Sequence, residues 1–145
     1  MGENNQVELY KNNNASYGYT EAAAPTPKAA ISYYAATIGG LQQHNSSNVF
    51  ERKYSANAIS IKGWQEPESN TKQADMMYSI WLHGVTGQTS PLSKIGVWGT
   101  YKQSLSNEWY YNTFTSKLVH TGVPLYLNCK NLITQATAFA GNVYN

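Results

Sequence analysis

Charge is scarce in this chain of 145 residues: 12% are Asp, Glu, Lys or Arg, Arg52 is the only arginine and Asp75 the only aspartate. A soluble domain usually carries about 25%. Ten Lys and Arg against eight Asp and Glu leave a formal charge of +2. That field is too weak to hold phosphate backbones or anionic lipid, so direct nucleic-acid binding is not expected. Cys129 stands alone, which excludes an intrachain disulfide and the zinc frameworks that need several cysteines. Its neighbours Leu125, Tyr126 and Leu127 mark it as a buried thiol acting as a small hydrophobe rather than a nucleophile. No apolar run reaches the ~18 residues of a membrane span, and no charged-then-apolar leader opens the chain, so neither a span nor a signal peptide is expected.

The parts of an active site are equally thin. Acid–base hydrolysis needs two carboxylates at a controlled separation, and the close pair Glu66 and Glu68 flanks Pro67 in a polar segment that reads as solvated. No Gly-x-Ser-x-Gly elbow, phosphate loop, dinucleotide-binding glycine pattern or acidic calcium loop is present. His44, His83 and His120 are widely spaced. The expectation is a protein that is not an enzyme and holds no metal or cofactor.

What the chain does have is neutral polarity. Asn occurs 15 times and Tyr 12 times, with Ser and Thr also abundant. Amides and hydroxyls hydrogen-bond without charge, which suits contact with sugars or with copies of the same protein. The same residues also fill turns and solvent faces of ordinary β-proteins.

Residues 1–28 read as an extended arm, with Asn12–Asn14, Ala22–Ala24 and the Pro25-Thr26-Pro27 segment, and with short strands at Val7–Tyr10 and Ser16–Tyr19. Tyr10, Tyr17, Tyr19, Pro25 and Pro27 are its candidate contact residues. Residues 29–145 read as a single domain in which short apolar runs alternate with turn signals. Ala30–Ile38 is a strand running into Gly39-Gly40, and Gln42–Asn48 is a loop followed by Val49–Tyr54. Ala58–Lys62 alternates at period two, and Gly63–Asp75 reads as a long exposed loop.

The middle of the chain is the most legible. Met76–Val85 places Met76, Tyr78, Ile80 and Leu82 on one face and Met77, Ser79, Trp81 and His83 on the other. Ser93–Lys102 sets Ile95, Val97, Gly99 and Tyr101 against Lys94, Gly96, Trp98 and Thr100. The turn signals of Gly87–Pro91 join the two as a hairpin with Trp81 and Trp98 on one face. Glu108–Phe114, Lys117–Thr121 and Val123–Asn128 continue the β pattern, and Cys129–Gly141 allows a helix stopped by Gly141 or a last strand. Eight or nine strands predict an all-β, antiparallel β-sandwich or jelly-roll-like domain with an extended N-terminal arm, with a closed barrel as the alternative.

For binding, the candidates are Trp64, Trp81, Trp98 and Trp109, with His83 beside Trp81. An aromatic ring stacks on the apolar face of a sugar while amides and hydroxyls hold its rim, but the same rings also serve as core or cross-strand packing. Two functions follow. The first is a structural protein, a capsid or virion component or a surface-filament subunit, whose partners are copies of itself. The alternative is a carbohydrate-binding lectin with glycan partners, and a β-rich pore-forming toxin comes third. The first two part on whether the arm lies across a neighbouring subunit or Trp81 and Trp98 form an open, wet shelf.

Overall fold

The computed structural model describes residues 28–115 and 119–145. Through them run β1 (Ala30–Ile38), β2 (Gln43–Asn45), β3 (Ser60–Pro67), β4 (Asp75–Leu82), β5 (Ser93–Trp98), β6 (Tyr110–Thr113), β7 (Leu125–Asn131) and β8 (Thr137–Tyr144), with one 3-10 turn at Ser106–Glu108. They pair into two antiparallel sheets, β1-β8-β3-β6 and β2-β7-β4-β5. The chain changes sheet at every step except the β4–β5 hairpin, which is the strand order of a jelly roll. The expected sandwich is therefore the observed one, and the barrel is not formed. Of the expected arm, residues 1–27, with Tyr10, Tyr17, Tyr19, Pro25 and Pro27, lie outside the described residues, whereas Lys28 belongs to the domain: it is buried, and its Nζ donates to Ser60 Oγ at 2.6 Å.

Period-two alternation builds the core. Tyr34, Ile61, Phe139 and Val143 face inward from the first sheet, against Met76, Tyr78, Ile80, Leu125, Leu127 and Cys129 from the second. Aliphatic burial supplies about 25 cal/mol per Å², but this core also contains hydroxyls, which must find partners. The hydroxyls of Tyr34 and Tyr110 share a 2.6 Å hydrogen bond. Tyr78 donates to Gln65 Oε1 at 2.8 Å, and Gln65 Nε2 donates to the carbonyls of Val97 and Gly99 at 2.8 and 2.9 Å. Burial, with the neighbouring phenols, holds all three tyrosines well above their ordinary value of 10.0. It also pushes the Cys129 thiol up, in keeping with an inert buried sulfur. Room for the hydroxyl pair comes from Gly63 and Gly141, which face each other across β3 and β8. A Cβ on Gly141 would run into the Tyr34 hydroxyl, and one on Gly63 into the Ala140 carbonyl.

That glycine pair corrects two expectations. Gly141 does not stop a helix; it sits inside β8, so Cys129–Gly141 divides between β7 and β8. Gly63–Asp75 is not one loop, because β3 continues to Pro67 and leaves only 68–74 as connection. The polar look of that stretch misleads because Gln65, fully buried, has its amide satisfied within the core. Val49–Tyr54 contributes only a bridge from Phe50 to Leu125. Of Lys117–Thr121, residues 119–121 form no strand and 117–118 lie outside the described residues.

Candidate functional site

The outward faces of the two sheets carry the candidate residues, and the four tryptophans divide between them. On the first sheet, Trp64 projects outward from β3 directly opposite Ala140 of β8. The small alanine lets the indole lie across its neighbour strand. Trp109 closes over it, so that both rings are less than a tenth exposed and pack with Ala140, Tyr33, Tyr101 and Ala138. The cover is held by the segment linking β5 to β6: Gln65 and Tyr101 exchange backbone hydrogen bonds at 2.9 and 3.0 Å, and Trp109 Nε1 donates to the Lys102 carbonyl at 3.1 Å. These two tryptophans form a second, smaller core rather than an open surface.

On the second sheet no segment closes over the outward residues: Trp98, Gln43 and Asn45 are exposed, and Trp81, Tyr126 and Asn128 are half-buried. Trp98 ends β5 at 68% exposure. Trp81 stands on the same face of the hairpin, as its alternation requires, but six residues along β4 from Asp75, the register partner of Trp98. At ~3.4 Å per residue the two positions are about 20 Å apart, so they do not make one shelf. Trp81 instead pairs with Tyr126 across β4 and β7. Beside them, Asn128 Nδ2 donates to Asn45 Oδ1 at 2.7 Å and to Gln43 Oε1 at 3.2 Å. Trp81, Tyr126, Asn128, Gln43 and Asn45 line a shallow depression of about 250 Å³. His83, exposed just past β4, sets its ring edge-on to Tyr126 with centroids 6.4 Å apart.

Sequence reasoning found Trp81 and His83 but missed Tyr126, Asn128, Gln43 and Asn45. The alternation Leu125, Leu127, Cys129 does put Tyr126 and Asn128 on an outward face. Nothing local pairs them with residues more than eighty positions earlier. His44 turns inward instead, edge-on to Phe139 with centroids 6.5 Å apart, and His120 lies in an exposed connection. Among the described residues, no three His, Cys, Asp or Glu side chains gather as metal ligands, and no helix is long and apolar enough to cross a membrane.

No protein-family model and no curated protein matches this chain. Among solved structures it is similar to a chain from Bacillus endospore appendages, described as forming a novel family of disulfide-linked pili. The two are 13% identical, the match covers 87% of this chain and 96% of that one, and the TM-score is 0.32. The jelly-roll assignment rests on the strand order alone.

Proposed function

We propose that this chain is a non-catalytic structural subunit that assembles with copies of itself into a surface filament or virion shell, residues 1–27 of one copy adding along β1 of a neighbour. The observation that carries this reading is the β1 edge. Sheet edges are templates for pairing, and proteins that stay monomeric blunt them with short strands, charge or proline. Three of the four edges follow that rule: β2 spans 3 residues, β6 spans 4, and β5 carries the exposed Lys94. The edge strand β1 spans 9 residues, Ala30–Ile38, without a charge or a proline.

Its backbone direction is readable. The Tyr33 carbonyl accepts from Asn48 Nδ2 at 2.7 Å on the side away from β8. Alternate residues of an antiparallel strand point the same way, so the N–H and C=O groups of Ala35 and Thr37, both exposed, face that side too. Strand addition needs such a row. A segment of 27 residues can reach about 90 Å when extended, against a radius of gyration of about 13 Å for a domain of this size. The low net charge lets copies approach.

Light scattering and negative-stain microscopy test the reading on the full chain, the chain lacking residues 1–27, and the Ala35→Pro variant, which removes one edge N–H without touching the β8 ladder. Large particles from the full chain, lost in both variants while each still melts cooperatively, are expected. A full chain that stays monomeric at high concentration overturns the proposal.

A further inference from the structure

The depression on the second sheet has the chemistry of a sugar site, and we propose that Trp81, Tyr126, Asn128, Asn45 and Gln43 bind a neutral glycan. The site does not depend on assembly, and its base is Trp81. Its indole Nε1 donates to Ser79 Oγ, two residues back on the same strand, at 2.9 Å. The ring therefore lies down along β4. Ser79 points outward from the sheet yet is only 5% exposed, as a residue beneath a ring must be. With one face against the protein and its N–H occupied, the indole offers solvent its other flat, apolar face. Tyr126 stands directly across the strand pair and widens that platform. The C–H face of a pyranose ring is the apolar, flat complement of such a surface.

The amides supply the rim. Both bonds donated by Asn128 Nδ2 go to Asn45 and Gln43, which fixes the three side chains in one row. Among the described residues, Asn128 Oδ1 and the amino groups of Asn45 and Gln43 have no partner, so the row presents one acceptor and two donors to solvent. Each sugar hydroxyl both donates and accepts, and a pair of adjacent hydroxyls matches that alternation. No charged side chain lines the depression. A neutral sugar is therefore selected over an acidic one, for which a cation would be needed.

Equilibrium dialysis of the full chain against fluorescently tagged cellohexaose, maltohexaose and chitohexaose tests the proposal, because it reads binding whether or not the chain assembles. At least one of the three is expected to bind. Trp81→Ala should weaken it about tenfold or more, the loss of one stacking contact. Asn45→Ala, on the exposed three-residue β2, should weaken it several-fold with the melting transition unchanged. Trp81→Phe should retain part of the affinity, which separates a lost ring from a lost fold, and Trp98→Ala should bind as the native chain does. Failure of all three sugars to bind at millimolar concentration overturns the proposal. So does binding that survives both Trp81→Ala and Asn45→Ala.

Discussion

The two sheets of the sandwich have the same strand count and the same inward alternation, and yet their outward faces end as opposites. On the face of β1-β8-β3-β6 the segment that links β5 to β6 covers Trp64 and buries its own Trp109 against it. The face of β2-β7-β4-β5 leaves Trp98 two-thirds exposed and Trp81 flat beside a row of amides. The tryptophans themselves do not differ; the strands beside them do. Ala138 and Ala140 give an indole room to lie down and a covering segment room to close, whereas Tyr126, Asn128 and Lys130 occupy the corresponding surface of β7. An outward aromatic is thus core or platform according to its cross-strand neighbours, not its own alternation.

Substituting the tryptophans one at a time is the sharpest way to break this contrast. Trp64→Ala and Trp109→Ala should each cost about 3–5 kcal/mol of unfolding free energy, the range for emptying a buried aromatic site. Chemical denaturation would show it, and a loss no larger than that of an exposed residue would mean the first face is open like the second. A graded effect, which grows with pH, comes from the phenols between the sheets. Tyr34, Tyr78 and Tyr110 have folded values raised well above the ordinary 10.0, and Cys129 is raised from 9.0. Above those ordinary values the unfolded chain holds fewer protons than the folded one. Their contribution is therefore complete at neutral pH and declines as pH rises past about 9–10. Each phenol that ionises only on unfolding adds a slope of about 1.4 kcal/mol per pH unit. Urea midpoints measured between neutral pH and about pH 11 should fall accordingly, and Tyr34→Phe should make the fall shallower. The least effect belongs to Trp98→Ala, which should stay within about 0.5 kcal/mol of the native chain in the same denaturation series. A larger loss there would show that Trp98 is covered in solution, as an interface between copies would cover it.

How much of this was legible in the sequence follows from the range of each signal. Met76, Tyr78, Ile80 and Leu82 announced their inward face because alternation is local, and the β4–β5 hairpin followed from turn residues between two such runs. The end of β3 was hidden because Gln65 looks solvent-facing until its amide is seen bonded to the carbonyls of Val97 and Gly99 and to the Tyr78 hydroxyl. The amide row was hidden for the same reason: Asn45 and Asn128 meet only because β2 pairs with β7.

The sequence by itself therefore determined the class of the fold, the inward face of most strands, the inert thiol and a surface polar without charge. Strand order, the burial of Trp64 and Trp109, and the meeting of Trp81 with Tyr126 and the amides were decided by tertiary structure alone. Alternation fixes which way a side chain points within its own strand. What it then meets depends on pairings such as Ala30 with Tyr144, between ends of the domain that no local pattern connects.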